Sequence, residues 1–364
     1  MPWYVLTPED TLFFRGGEPM VMGESHFQTS IFPPSPETLA GAVRAKVIQD
    51  HAAGDFNGYM SGRYSDEPWY EEIGGPEAVP DTLKLNGPFL YMNESLLFPV
   101  PANLYRAKGR AGETLFNACR PKRFKEVRTK FGLSCVCWLP NREGVAASDW
   151  ALVDGYITAK GISSYLSGKL DQLTDDDIYD HQRLRREGIL LEEERVGIAR
   201  HRNLRVARSG HLYQTRHWRL GEGVGLAFLL EGVSSFGGTG CMQLGGEGRR
   251  VWITEAKISL PEAPKRADFV VTLFPIPILG VMDGFPITPV SDGERSLTLP
   301  KQDKIPVHCH VFKAPLEFGG WDMKNQRPKP MRAYLPGGSV FFFKNTEITS
   351  RCNHLVGGCH DTIK

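Results

Sequence analysis

The hydrophobic pattern at the start of the chain predicts a strand followed by a helix. Residues 3–6 (Trp-Tyr-Val-Leu) favour a strand, and residues 11–14 form a second apolar stretch. Ser35 is a suitable N-cap, Pro36 fits the first helical position, and an apolar residue recurs every four positions from 39 to 47. This order of elements predicts an α+β fold.

Further along the chain the pattern alternates between elements and irregular segments. Residues 50–82 carry no periodicity, so we expect an insertion or a long loop there. Residues 157–170 indicate a short helix. Residues 212–220 and 224–230 favour strands, and we expect them to be neighbours in one sheet, joined by residues 221–223 (Gly-Glu-Gly).

The length of 364 residues, with 41% hydrophobic content, exceeds that of one typical domain. We therefore predict two domains, residues 1–150 and 151–364. No run of about 18 apolar residues occurs, so we expect a cytoplasmic protein without a membrane partner. The seven scattered cysteines favour reduced thiols over a disulfide framework.

The net charge of +1 conceals two strongly basic segments. Residues 106–130 hold nine Lys/Arg against two Glu, and residues 183–219 hold ten Arg, no Lys and four Glu. A solvated face needs only charge, whereas guanidinium groups also bind phosphate in a fork and stack on bases. Arg200, Arg202, Arg205 and Arg208 therefore make single-stranded RNA a candidate ligand, with a solvated face as the alternative.

A glycine-rich segment follows, with seven glycines between residues 232 and 248. Such density favours a backbone that adopts positive φ or approaches another chain closely, and Arg249 and Arg250 come next. Backbone N–H groups beside guanidinium groups would bind a phosphate backbone. A flexible connection within a hairpin is the alternative, and the segment lacks the signature of a nucleotide-binding loop.

Motifs for common enzymatic chemistry are absent from the sequence. Cys135 and Cys137 lie in an apolar run, which favours core packing over metal binding, and the C-terminal Cys and His residues match no common zinc finger. We therefore expect no metal and no cofactor. RNA cleavage without metal needs only a general base, and His26, His201 and His217 are the candidates for that alternative.

Nine short motifs then occur in a fixed order: LFFRGGEP at 12–19, FPPSPETLAGA at 32–42, LFPVPANL at 97–104, RVGIA at 195–199, GHLY at 210–213, RLGEGVG at 219–225, GGWD at 319–322, RPKP at 327–330 and PGGSV at 336–340. In this order they resemble the RAMP-superfamily subunits of type III-B CRISPR (Cmr) effector complexes that hold the 5′ tag of the guide RNA.

The resemblance implies two ferredoxin-like (RRM-related) domains with insertions, a glycine-rich loop and no required catalytic role. It also implies four partners: the crRNA 5′ tag, the large palm-domain subunit, the adjacent backbone RAMP subunit and, indirectly, target RNA. The glycine-rich loop corresponds best to residues 245–250.

Together these observations give a set of candidate RNA-binding residues: Arg15, His26, Arg44, Arg200, Arg202, Arg205, Arg208, Gly245, Gly246, Gly248, Arg249 and Arg250. Two other functions stay open. One is a metal-independent endoribonuclease that processes guide RNA, and the other is a scaffold that contacts only protein.

Overall fold

The structure is a computed structural model that describes residues 2–16, 27–77, 79–123, 135–201, 206–261, 268–277, 287–289, 295–297, 305–307, 309–322, 324–343 and 355–358. The described chain is mostly β-strand with few helices. The predicted α+β class is therefore confirmed.

The described helices are α1 (Pro36–Ala52), α2 (Phe56–Met60), α3 (Pro68–Ile73), α4 (Ala159–Leu166) and α5 (His181–Arg186). The described strands are β1 (Trp3–Pro8), β2 (Phe27–Gln28), β3 (Lys84–Met92), β4 (Ser95–Pro99), β5 (Leu104–Lys108), β6 (Thr114–Ala118), β7 (Arg120–Arg123), β8 (Cys135–Trp138), β9 (Ala151–Leu152), β10 (Tyr156–Thr158), β11 (Ile178–Tyr179), β12 (Leu190–Arg200), β13 (Ala207–Leu220), β14 (Val224–Glu231), β15 (Gly240–Gln243), β16 (Arg250–Ala256), β17 (Phe269–Thr272), β18 (Ile276–Pro277), β19 (Ile287–Pro289), β20 (Arg295–Leu297), β21 (Ile305–Val307), β22 (Cys309–Val311), β23 (Leu316–Phe318), β24 (Trp321–Asp322), β25 (Arg327–Pro328), β26 (Arg332–Leu335), β27 (Val340–Phe342) and β28 (Leu355–Gly358).

The chain folds into two compact units, and each is built from three separate segments. Unit 1 comprises Met1–Glu94, Leu184–Ile258 and Glu317–Arg332, and unit 2 comprises Ser95–Arg183, Ser259–Leu316 and Ala333–Lys364. This arrangement differs from a single division near residue 150. The reason is strand pairing, because β14 and β16 both pair with β1 from the start of the chain.

Unit 1 contains an antiparallel sheet in the order β3-β14-β1-β16-β15. Strand β1 lies in its middle, where Val5 pairs with Ala227 on one side and with Thr254 on the other. If β1, β3, β14 and β16 are numbered one to four along the chain, they lie in the order 2-3-1-4. The sheet therefore depends on pairings between residues more than 200 positions apart.

Helix α1 covers one face of this sheet and begins where the sequence predicts. The side chain of Ser35 accepts a hydrogen bond of 3.1 Å from the backbone N–H of Thr38, and proline occupies the first turn. The repeating apolar positions of α1 are buried in one cluster with Leu226, Phe228 and Ile253 of the sheet. Burial of this helix face against the strands is the main source of its stability.

The sequence predicts an insertion or a long loop at 50–82; the long-loop alternative is wrong, because the segment contains α2 and α3. Tyr59, Trp69 and Ile73 from this segment are buried in the same core as α1. Helices of five and six residues are too short to show an amphipathic period, which is why the pattern did not predict them.

A second sheet of unit 1 has the order β12-β13-β2. Here the expectation that 212–220 and 224–230 are neighbours is wrong, because β13 pairs with β12 and β2 whereas β14 pairs with β1 and β3. Seven of the eight residues of β14 are buried, which requires a central strand covered on both faces. The described part of β13 instead alternates between buried and more accessible residues.

Unit 2 contains several small sheets and helix α4, which confirms the short helix predicted within 157–170. Its basic segment is partly neutralised. Arg106 contacts Asp180 at 2.8 Å and Lys108 contacts Asp175 at 3.4 Å, so acidic residues distant in sequence pair with the basic stretch. No helix in the described part of the chain is long and apolar enough to cross a membrane.

We expect a leucine-to-alanine substitution to lower the free energy of unfolding by different amounts in the two sheets. Leu226→Ala removes a fully buried side chain from the core and should lower the free energy of unfolding by roughly 2–5 kcal/mol. Leu212→Ala, at a side chain that is 52% exposed, should change it by less than about 0.5 kcal/mol. Urea denaturation of both variants tests this, and equal losses would contradict the described core.

Candidate nucleic-acid interface

Residues 10–15 form a connecting segment that contacts both β13 and the glycine-rich loop (residues 245–250) of unit 1. The backbone of Leu12 exchanges hydrogen bonds of 2.7 and 2.8 Å with Trp218 of β13. The carbonyl of Phe13 accepts a hydrogen bond of 2.8 Å from the N–H of Gly246, in the glycine-rich loop. The arginine-rich segment and the glycine-rich loop, distant in sequence, therefore meet on one segment.

The carboxylate of Asp10 joins the hairpin β12–β13 to the glycine-rich loop. It accepts hydrogen bonds from Arg195 of β12 at 2.8 Å, from Arg219 of β13 at 3.0 Å and from Arg249 of the loop at 2.9 Å. Glu193 accepts from the Nε atoms of Arg195 and Arg219, at 2.9 and 2.6 Å. The result is a network of ion pairs that connects the hairpin β12–β13 with the loop.

The network holds its carboxylates in the charged state. Although partial burial alone would raise it, the pKa of Asp10 lies below its ordinary value because Arg195 and Arg219 donate hydrogen bonds to the carboxylate. The pKa of Glu193 is lowered too, first by the hydrogen bond from Arg219. Protonation of either carboxylate would weaken the attachment of the arginines.

His217 lies in the centre of the interface and is fully buried. Its ring nitrogens lie 3.0 Å from the hydroxyls of Thr11 and Thr215, and its ring stacks on Phe13 with centroids 5.0 Å apart. Glu247 Oε2 lies 3.3 Å from Nε2. Burial lowers the pKa of His217 and so favours its neutral form, which points to a structural role.

The glycines of the loop serve different purposes. Gly245 has φ +83°, and a Cβ atom there would lie 2.4 Å from the carbonyl oxygen of Phe13. A Cβ atom on Gly246 would also contact Phe13. A Cβ atom on Gly248, at φ +64°, would meet nothing within 4 Å. Gly245 is therefore required by close packing inside the protein, and Gly248 only by its backbone conformation.

The two arginines after these glycines differ sharply. Arg249 is 17% exposed, and its guanidinium group contacts Asp10 and, at 3.4 Å, Glu247. Arg250 is 54% exposed; its Nε atom lies 3.1 Å from Cys241 Sγ and 3.9 Å from Glu9. The solvent-facing cation of the loop is therefore Arg250.

The hairpin β12–β13 presents a mixed apolar and basic surface. Val196 and Ile198 of β12 are exposed, and Ile198 lies opposite the exposed Leu212 of β13. Arg200 is also exposed, at the end of β12. Arg202 and Arg205 lie outside the described residues, and of Arg208 only the backbone is described, as part of β13.

The remaining candidates lie in different surroundings. Arg15 is exposed beside the interface, where its Nε donates to Gln28 of β2 at 3.2 Å. Arg44, on α1, donates to the hydroxyl of Tyr59 and to the carbonyl of Gly75, both at 2.6 Å, so its guanidinium group has internal partners. His26 lies outside the described residues.

Sequence reasoning did not single out Asp10, Glu193 or Thr11, although they organise the interface. Counting charges over a segment treats every arginine as available, whereas Arg195 and Arg219 are neutralised by Asp10 and Glu193. The alternation of residues within β12 could have indicated this pairing, because it places Glu193 and Arg195 on one face of the strand. No local pattern indicated the role of Asp10, because the arginines that it contacts are far away in sequence.

Cys137 and Cys309 lie elsewhere, in unit 2. Cys137 Sγ is 3.1 Å from Sγ of the buried Cys309, so it packs against another thiol, and nothing is described of the Cys135 side chain. Within the described ranges, no group of three or more His, Cys, Asp or Glu side chains is arranged to hold a metal ion.

We expect alanine substitutions at Gly245 and Gly248 to lower the stability of the chain by different amounts. Gly245→Ala should destabilise the loop strongly, since its Cβ atom would collide with the Phe13 backbone at positive φ. Gly248→Ala should cost about 1–2 kcal/mol, the strain of a left-handed residue without a collision. Denaturant unfolding of both variants measures this, and a larger loss for Gly248→Ala would contradict the described packing.

We expect the buried His217 to make the stability of the folded chain depend on pH. Because its pKa is lowered in the folded chain, the unfolded chain binds more protons below the ordinary pKa of about 6.5. The free energy of unfolding should therefore fall as pH drops from about 6.5 towards the folded-state pKa. His217→Gln should reduce this dependence between about pH 7.5 and about pH 5.5. His201→Gln, at the exposed end of the hairpin, is the matched control, and an unchanged pH profile in His217→Gln would refute the assignment.

Comparison with known proteins identifies the family. Residues 4–354 match the family model described as CRISPR-associated protein (Cas_Cmr3), while no curated protein matches the chain by sequence. A chain in the cryo-EM structure of the Type III-B Cmr-beta bound to cognate target RNA and AMPPnP, state 1, is similar in fold, with a TM-score of 0.51 and 16% identity over 93% of this chain and 86% of that chain. A chain of the Type III-B Cmr-beta bound to cognate target RNA gives a TM-score of 0.50, with the same identity and coverage. Because the family model matches nearly the whole chain, the protein belongs to the CRISPR-associated Cas_Cmr3 family, and the resemblance seen in its sequence is confirmed.

Proposed function

We propose that this chain is a non-catalytic RNA-binding subunit of a type III-B CRISPR (Cmr) effector complex. In this role it caps the 5′ tag of the crRNA and docks the large palm-domain subunit. Family membership supports a place in such a complex, and the fold is similar to that of a chain in a Cmr complex bound to cognate target RNA. The adjacent backbone RAMP subunit is a further proposed partner, and target RNA is contacted only indirectly.

One observation carries the RNA-binding part of this proposal. The glycine-rich loop and the arginine-bearing hairpin β12–β13 are fastened to the same segment by Asp10, which contacts arginines from both. A rigid junction of this kind holds two cationic surface elements at a fixed spacing, which reduces the ordering cost of binding a flexible single strand.

Within this interface the arginines have two roles. Arg250 and Arg200, both exposed, would contact phosphates, and the aliphatic side chains on the hairpin would lie against bases. Arg249 is instead a positioning residue, because its guanidinium group is held by Asp10 and Glu247. Arg15, which donates to Gln28 of β2, is a third candidate phosphate contact.

The alternative of metal-independent cleavage has weaker support. A general base must reach the 2′-OH of the RNA, and His217 is fully buried among Thr11, Thr215 and Phe13. His201, at the exposed end of β12, is a described histidine that an RNA chain on the hairpin could reach. Cleavage of precursor RNA by the purified chain in chelator, abolished by His201→Ala or His26→Ala, would favour this alternative.

We also infer that unit 1 is a ferredoxin-like domain. The strand order 2-3-1-4, fully antiparallel, with α1 between the first two strands, corresponds to the split βαβ arrangement of that fold. The strand that precedes the final one, β15, and the glycine-rich loop occupy the chain region where that fold has its second helix. A ferredoxin-like assignment for unit 2 stays a prediction.

Alanine variants of the adjacent arginines test the RNA interface. Arg250→Ala should weaken binding of single-stranded guide RNA and reduce the slope of log K against log salt by about 0.7, the value for one phosphate contact to a single strand. Arg249→Ala should lower the thermal stability of the chain as well as its affinity, because it releases the loop from Asp10. Fluorescence anisotropy across a salt series and thermal unfolding measure both effects.

Conservative replacements provide the controls for this experiment. Arg250→Lys keeps the charge and should keep the wild-type salt slope, while Asp10→Asn should reproduce the loss of stability in Arg249→Ala. The proposal fails if Arg250→Ala binds guide RNA with unchanged affinity and salt slope, or if the wild-type chain binds no RNA at all.

A further inference from the structure

The main sheet of unit 1 has one covered and one partly open face. On β16, the alternate residues Val251 and Ile253 are buried in the core with α1, and the residues between them point to the other face. There Arg250, Trp252 and Thr254 are all exposed. Three consecutive outward positions of one strand are thus accessible to solvent.

Trp252 is the most unusual of these residues, since its side chain is 51% exposed. Its direct neighbours across the sheet are small, Thr7 of β1 and Cys241 of β15. Within the part of the chain that the structure describes, its indole contacts no other aromatic ring. The flat face of the ring is therefore not covered by tall neighbouring side chains.

Arg250 gives this aromatic surface a cation at a suitable distance. It lies two residues from Trp252 on the same face, a spacing of about 7 Å along a strand. Its Nε atom faces Cys241 and, at 3.9 Å, the carboxylate of Glu9, and among the described residues its two terminal nitrogens make no hydrogen bond. The Nε edge of the guanidinium group is therefore held by Cys241, with Glu9 nearby, and its outer edge stays available.

We propose that Trp252 is a stacking platform for a base of a single-stranded RNA, with Arg250 contacting the adjacent phosphate. This inference rests on the proposed RNA-binding function and extends the interface from the glycine-rich loop onto the open sheet face. The two surfaces are continuous, because Arg250 is both the last residue of the loop and the first residue of β16. A strand of RNA leaving the loop passes directly over Trp252.

The chemistry of the face favours a nucleic acid over an apolar protein surface. Besides Cys241, the neighbours of Trp252 on this face include Thr7, Thr254, Gln243 and Arg250, which are polar or charged, so the ring lies in a mainly polar setting. Stacking needs only a π-face and tolerates any base, whereas a protein interface core is built from several adjacent apolar residues.

The test compares Trp252→Ala with Trp252→Phe and with Trp321→Ala in the full chain. Trp321 is the matched control, because it is 50% exposed and belongs to unit 1. With a fluorescein-labelled single-stranded RNA carrying the guide sequence, Trp252→Ala should weaken binding by roughly 5- to 150-fold, the range for one stacked base. Trp252→Phe should recover most of the affinity, and Trp321→Ala should bind like the wild type.

Salt dependence and crosslinking separate stacking from charge. Trp252→Ala should keep the wild-type salt slope, since no ion pair is removed, whereas Arg250→Ala should lower it. An RNA with 5-iodouridine should crosslink to Trp252 under ultraviolet light, and mass spectrometry of the digested chain identifies the residue. Circular dichroism confirms that each variant is folded.

Several outcomes would overturn the inference without touching the proposed function. One is wild-type affinity for RNA in Trp252→Ala, and another is crosslinks only to other residues. A third is a Trp252→Ala variant that binds RNA normally but loses the large subunit from the assembled complex, which would assign Trp252 to a protein interface. If the wild-type chain itself binds no single-stranded RNA, the proposed function fails, and this inference with it.

Discussion

The carboxylate of Asp10 accepts hydrogen bonds from three guanidinium groups that belong to β12, β13 and the glycine-rich loop. Without a shared anion, three cations at this spacing would repel one another and push the loop away from the hairpin. Each pair is partly exposed and weak on its own, so the network matters more than any single contact. The ion pairs that join the loop to the hairpin therefore depend on this one side chain.

This arrangement changes how the basic segments of the chain should be understood. Three arginines of the network are balanced by Asp10, Glu193 and Glu247, so they contribute structure and no net positive charge. Among the described residues of the interface, the exposed arginines include Arg250, Arg200 and Arg15. A small number of exposed arginines on a rigid support suits recognition of a single strand better than a large diffuse charge would.

The ordering of the sheet explains why the interface exists at all. Strand β1 pairs with β14 and β16, and the residues that follow β1 are thereby brought beside the loop that precedes β16. His217, buried between Thr11 and Thr215, fills the space between these segments with satisfied polar groups instead of a cavity. Gly245 completes the fit, because only glycine allows the loop to lie against the Phe13 carbonyl.

The sequence by itself determined the local elements and the family. The cap of α1 at Ser35, strand β1, helix α4 and the glycine-rich segment follow from short-range patterns, because capping, periodicity and φ preference act within a few residues. Only the tertiary structure decided that β13 and β14 belong to different sheets, that α2 and α3 join the core, and that Arg249 faces Asp10 whereas Arg250 faces solvent. These outcomes depend on pairings between residues up to about 250 positions apart, and no local pattern records which distant partner a charged or apolar side chain will meet.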